Sequence, residues 1–186
     1  MKGLKPFLFE LGEVVITALL IVAPIRMFIM SPYFVKGQSM EPNFHNNDYL
    51  LVDKLSYKIG EPKRGEVIIF KAPDGVSYYI KRIIGLPGET IEIKDNSIII
   101  FNSENKDGMK LKEDYLPRED MTTDNMREVL GEGKYFVMGD NRGASYDSRG
   151  WGSLDKAKII GKVWIRLMPI NNAGGFGLPL YENAIN

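Results

Sequence analysis

The chain has 186 residues, enough for one domain with a real core plus an apolar anchor, and its 24 basic and 24 acidic side chains cancel. That balance argues against a nucleic-acid surface or a strongly acidic partner, so any specificity has to come from local sites. Cysteine is absent and His45 is the only histidine, which excludes thiol catalysis, disulfides and thiolate or multi-imidazole metal centres; no metal or cofactor is expected.

Val14 to Ile25 carries no charge, and beyond Arg26 the apolar character continues through Met27-Phe28-Ile29-Met30 to Tyr33-Phe34-Val35. A bilayer needs about 20 apolar residues, and an arginine near one end of a span can snorkel to the interface. The expected organisation is a cytoplasmic N-terminus at 1–12, a transmembrane signal anchor at 13–33 and an extracytoplasmic domain at 34–186. Lys2 and Lys5 favour that orientation, against Glu10 and Glu13. Two alternatives are a cleavable secretory signal, for which Ala23-Pro24-Ile25-Arg26 is a poor cleavage site, and a buried core helix, which Pro24 disfavours.

Short β-like runs follow at Tyr49–Val52, Glu66–Phe70, Ser77–Ile84, Thr90–Ile93, Ser97–Phe101, Lys134–Met138 and Ile159–Met168. Turns rich in Pro and Gly, Ala72-Pro73-Asp74-Gly75 and Gly85-Leu86-Pro87-Gly88, separate several of them, so the sequence predicts consecutive antiparallel hairpins. Residues 102–133 are polar and poor in β-branched side chains. They read as a surface insertion away from the chemistry, with a turn at Leu116-Pro117-Arg118 and a short helix over Thr122 to Leu130.

Three blocks carry the chemistry. Ser39 lies in Phe34-Val35-Lys36-Gly37-Gln38-Ser39-Met40-Glu41-Pro42, Lys81 in Tyr78-Tyr79-Ile80-Lys81-Arg82-Ile83-Ile84-Gly85, and a turn-rich block runs from Gly139 to Arg149. A hydroxyl becomes a useful nucleophile only when a positioned group removes its proton, and an amine does so only when it is neutral. Bringing a lysine from ~10.4 to about 7 to 8 takes roughly 3 to 5 kcal/mol against the ammonium, which apolar burial supplies. Strand alternation sends Tyr79, Lys81 and Ile83 to one face and Ile80, Arg82 and Ile84 to the other, giving lysine and arginine separate tasks. A Ser-His-Asp triad using His45 and Asp48 is the weaker alternative, since both residues sit in a polar turn just after Ser39.

In this order, after an apolar segment, the three blocks resemble the bacterial type I signal peptidases of the short Gram-positive kind over nearly the whole chain. The resemblance implies a mainly β fold: an antiparallel catalytic domain of the signal peptidase and LexA-like type behind an N-terminal transmembrane helix. It implies a membrane-bound serine endopeptidase that cuts signal peptides from secretory preproteins after small-x-small (Ala-x-Ala) sites, with the preprotein and the lipid bilayer as partners. Ser39 is then the nucleophile, Lys81 the general base and Ser145 the hydroxyl that orients the amine. Asp147, Arg149 and Arg82 fall on structural ion-pair positions, Asp140 and Asn141 hold the loop, and Met40 packs against the lysine.

The Ser39 backbone N–H is the natural oxyanion donor. Some relatives carry a serine where this chain has Gly37, and a threonine where it has Asn43. The first departure removes a hydroxyl from the site, whereas the second reads as neutral. The rival readings are a LexA-like Ser/Lys autoprotease, which lacks such an anchor, and an inert membrane-anchored β module that binds exported proteins.

Overall fold

Helix α1 spans Leu4–Pro24 and continues as a wider turn at Ile25–Ile29. The computed structural model describes residues 3–117, 122 and 124–179, so Lys2, Arg118 and Thr123 of the sequence readings lie outside the described residues. Pro6–Ile29 is long and apolar enough to cross a membrane, and none of its most apolar window is covered by the rest of the protein. Leu8, Val15, Leu19 and Leu20 are all exposed, so the buried-core-helix alternative falls. The helix sits earlier than the expected 13–33, because Glu10 and Glu13 interrupt the apolar run without interrupting helical hydrogen bonding.

At its end the helix gives way to β1 (Met30–Phe34), which is laid against β2 (Tyr49–Asp53) with Pro32 opposite Leu51. Residues 30–33 therefore belong to the domain rather than to the anchor. The remaining strands are β3 (Val67–Lys71), β4 (Tyr78–Gly85), β5 (Thr90–Lys94), β6 (Ser97–Phe101), β7 (Met109–Lys110), β8 (Met126–Val129), β9 (Lys134–Met138), β10 (Leu154–Asp155), β11 (Ile159–Met168) and β12 (Gly174–Gly175).

One antiparallel sheet runs β1-β2-β11-β3-β4-β9-β10, with β12 on β11, and a second runs β7-β6-β5-β8. Two predicted hairpins form. Gly75 turns β3 into β4 at φ 73°, and Asp95 and Asn96, at φ 48° and 57°, make the doubly left-handed turn that matches strand twist between β5 and β6. The expectation of consecutive hairpins throughout fails because β11 inserts between β2 and β3, and the Gly85–Gly88 turn carries the chain into the second sheet.

Alternation on β4 divides the core as expected: Tyr79 and Ile83 pack with Ile68, Phe70 and Val137, whereas Ile80 joins Val35, Met40, Leu50 and Ile69. Ile84 and Phe136 meet the second sheet through Ile91, Ile93, Ile98 and Ile100. Both faces of β4 are thus covered, so its two cationic residues, Lys81 and Arg82, are both buried.

Residues 102–133 depart from the sequence reading. Met126–Val129 is strand β8 on the edge of β5, not part of a helix, with alternate residues half-buried as a sheet edge requires. Leu111, Thr122 and Leu130 are buried, and the Tyr115 carbonyl accepts from Asn43 Nδ2 at 3.0 Å. These described residues of the segment are built into the wall of the domain. Phe136→Ala, which opens a fully buried position between the sheets, should cost about 3–5 kcal/mol in urea unfolding of the detergent-solubilised chain.

Candidate active site

The segment bearing Ser39 leaves β1 as a tight excursion pinned at both ends by buried apolar side chains, Val35 before it and Met40 and Phe44 after it. Val35 N–H donates to Asp48 O and Asn47 N–H to Val35 O, each at 2.9 Å. Gly37 turns at φ 90°, where a side chain is strained, and its N–H donates to Asn46 Oδ1 at 3.0 Å. Glycine at this position therefore follows from the backbone. On the other side Asn141 N–H donates to Ser39 O at 3.1 Å and Asn141 Nδ2 to Gln38 O at 3.2 Å.

From β4, the Lys81 ammonium reaches Ser39 Oγ at 2.7 Å. Lys81 is only 4% exposed, and its Nζ lies 5.6 Å from the centre of the Tyr79 ring. Burial pulls its pKa down from the ordinary 10.5 to about 8; the Asp147 and Asp140 carboxylates push back, and Arg149 adds to the lowering. A pKa about 8 makes the neutral amine accessible near neutral pH, and 2.7 Å is within reach for a neutral Nζ to accept a proton from Ser39 Oγ.

Two ion pairs fix the surroundings. Arg82 grips Asp140 through Nε (2.8 Å to Oδ1) and Nη2 (2.6 Å to Oδ2) and donates through Nη1 to Gly65 O at 2.9 Å. Arg149 clasps Asp147 with Nε and Nη2, both at 2.8 Å. Burial works against the Asp147 carboxylate, but Arg149 and the Gly139 N–H outweigh it and hold its pKa below the ordinary range. Asn43, read as neutral in the sequence, donates from Nδ2 to Asp140 Oδ2 at 2.9 Å.

The third block comes to the dyad through Gly139. A methyl group there would lie 2.2 Å from Ser145 Oγ and 2.4 Å from Ser39 O, so only glycine admits this approach. Ser145 is beside the site with its Oγ buried: among the described residues it makes no well-formed hydrogen bond, to the lysine amine or otherwise, but it lies close enough to the Asp147 carboxylate to help lower that pKa. Met40 is buried in the apolar cluster that includes Ile80, the neighbour of Lys81.

Sequence reasoning passed over Gly139 and Arg142. The Arg142 guanidinium is buried, donates to Gly139 O at 3.1 Å and to Thr122 Oγ1 at 2.7 Å, and pairs with Glu113, tying Glu113 and Thr122 to the turn behind Ser39. The Gly-Asp-Asn-Arg run held the only signal for it.

His45 is exposed, and Asp48 Oδ2 accepts from the His45 backbone N–H at 3.0 Å while facing Arg166 at 3.2 Å. Asp48 is thus engaged without orienting the imidazole. Among the described residues no three His, Asp or Glu side chains come together as a metal site. A groove of about 370 Å³ ends at Ser39 and Lys81, walled by Tyr33, Val35, Leu50, Ile69 and Ile80. Beside it, Tyr78–Lys81 of β4 extends beyond its pairing with β9, which begins at Arg82.

Gly139→Ala should displace Ser39 or Ser145 and cut peptidase activity by roughly 10²-fold while the circular dichroism spectrum is retained. Asp140→Asn, which leaves the buried Arg82 charge without its counter-ion, should cost about 3–5 kcal/mol in urea unfolding.

The model of the family described as "Signal peptidase, peptidase S26" matches residues 8–168. Signal peptidase I of Bacillus licheniformis is 38% identical over 177 residues, covering 90% of this chain and 92% of the relative. Signal peptidase I T of Bacillus subtilis is 37% identical over 172 residues, 87% and 86% of the two chains. A crystal structure of a signal peptidase I from Enterococcus faecalis aligns with 56% of this chain and 97% of its own at 33% identity and a TM-score of 0.47. The match takes in the apolar helix, the serine turn, the lysine strand and the Gly139–Arg149 block together, and the chain belongs to the S26 signal peptidase family.

Proposed function

We propose that this protein is a signal peptidase I: a membrane-anchored serine endopeptidase that releases exported preproteins by cutting after small-x-small sites, with Ser39 as nucleophile and Lys81 as general base. The observation that carries the assignment of roles is the 2.7 Å contact between Lys81 Nζ and Ser39 Oγ, made by a buried amine whose pKa is lowered to about 8. In the first half-reaction neutral Lys81 takes the Ser39 proton as Oγ attacks the scissile carbonyl, and the resulting ammonium then protonates the leaving amine. The Ser39 N–H supports the oxyanion. In the second half-reaction Lys81 takes a proton from water, which attacks the acyl ester and releases Ser39.

The groove supports a preference for small side chains. An extended peptide laid along Tyr78–Lys81 sends its −1 and −3 side chains to the same face, toward walls formed by Val35, Leu50, Ile69 and Ile80. With α1 crossing the bilayer and its N-terminus cytoplasmic, the domain from Met30 onward lies on the extracytoplasmic side. β1 follows α1 directly, holding the groove near the membrane where a tethered preprotein has a raised effective concentration.

Ser39→Ala and Lys81→Ala should each lower preprotein cleavage by roughly 10³-fold or more, since the two act as a unit, whereas His45→Ala should not. Lys81→Arg should be equally inactive, because a guanidinium stays protonated. For the wild type, kcat/KM should climb tenfold per pH unit below about 8 and level off above it, as the neutral amine becomes the dominant form. Substituting Phe at −1 of a preprotein should abolish processing, and undiminished cleavage would remove the groove from the account.

The same burial has a stability consequence of defined sign. Because the folded-state pKa of Lys81 is lowered, the cost of its ammonium is fully present below about 8 and fades as pH rises toward 10.5. That gap corresponds to roughly 3 kcal/mol. Lys81→Met should therefore raise stability at pH 7 by an amount of that order while removing activity, and the gain should vanish in urea titrations above pH 10.5.

A further inference from the structure

We propose, on the reading of α1 as a membrane span, that Arg26, Lys54 and Lys58 form a binding site for the phosphate of an anionic phospholipid headgroup where the helix leaves the bilayer. The three come from two separate stretches of chain. Lys54, just after β2, grips the helix end: its backbone N–H donates to Ile29 O at 2.8 Å, and its ammonium donates to Arg26 O at 2.9 Å and Met27 O at 3.2 Å. Four residues on, in the short helix α2 (Ser56–Ile59), the Lys58 ammonium stands 4.9 Å from the centre of the Phe28 ring.

Among the described residues no carboxylate pairs with any of these cations. Asp53, next in sequence to Lys54, instead accepts from Leu55 N–H at 2.8 Å and from Ser56 N–H at 3.1 Å, and also takes the Ser56 hydroxyl. Burial chiefly lowers the Lys54 pKa, and the nearby charges of Lys58 and Arg26 add to the lowering. An ammonium has three donors, and two of Lys54's are spent on the helix carbonyls, leaving one for a ligand oxygen.

The apolar surroundings select a lipid over a free anion. Met27, Phe28 and Leu55 are exposed around the cluster, and Ile59 is 84% exposed. Cations set among bare apolar side chains, continuous with a candidate span, match the boundary between headgroups and acyl chains. A zwitterionic lipid also carries a phosphate, but it returns a positive charge to a site that already holds three. A net anionic headgroup is therefore preferred.

The test uses the full-length chain in maltoside micelles, read by native mass spectrometry with equimolar phosphatidylglycerol and phosphatidylcholine, and inorganic phosphate in a separate arm. The wild type should retain phosphatidylglycerol at least about fivefold over phosphatidylcholine. Lys58→Gln should reduce that preference, Arg26→Gln with Lys58→Gln should abolish it, and phosphate alone should leave no adduct. Lys54 stays intact because it also holds the helix end. Equal retention of the two lipids by the wild type, or an undiminished preference in the double variant, overturns the site. Phosphate adducts as abundant as those of phosphatidylglycerol overturn its assignment to lipid. Alkaline carbonate extraction of membranes reports separately on α1: a chain that resists extraction but shows no lipid preference refutes the headgroup site alone, whereas a chain that is extracted refutes the span on which it rests.

Discussion

A single buried amine sets the terms for the rest of this molecule. Lys81 has to lose its water to lose its proton near neutral pH, and a lone lysine on an ordinary half-covered sheet would turn that face to solvent. Here apolar layers cover both faces of β4, so although its edge is open at Tyr78–Lys81, beyond the pairing with β9, the Lys81 side chain is still buried. Burial is the largest influence on its pKa, ahead of every charged neighbour. Two nearby carboxylates oppose that lowering, and each is engaged by an arginine: Asp140 by Arg82 and Asp147 by Arg149.

The ion pairs also serve as struts. Arg82 joins β4 to the turn after β9, and Arg149 closes the loop at Asp147, so the stretch from Gly139 to Arg149 is held against the serine turn from behind. The connection between β7 and β8 contributes through Arg142, which links Glu113 and Thr122 to the Gly139 carbonyl. Such buried charges cost desolvation energy and are justified here by position: they let a glycine backbone come close enough to Ser39 to fix it.

Strands whose apolar residues alternate or run continuously between glycine turns were readable from the sequence, and Ser97–Phe101, Lys134–Met138 and Ile159–Met168 have the bounds read there. β1 was hidden because Met30–Phe34 prolongs the apolar run of the helix, and a propensity reading has no means of dividing the two. β8 was hidden because Met126, Arg127 and Glu128 favour helix locally, and only the open edge of β5 makes them a strand. Ser39 and Lys81 were legible as motifs, though their separation was not. Arg142 and Asn43 were not legible as supports, since their partners lie 29 and 97 residues away.

The most direct measurement is the titration of Lys81 itself, by the ¹³Cε chemical shift of selectively labelled lysine in full-length protein, with the Lys81 resonance assigned from its absence in Lys81→Met. A midpoint about 8, well below those of the exposed lysines, is the result this account predicts. A midpoint near 10.5 would mean that the amine is charged at working pH, and would contradict the role of Lys81 as the base.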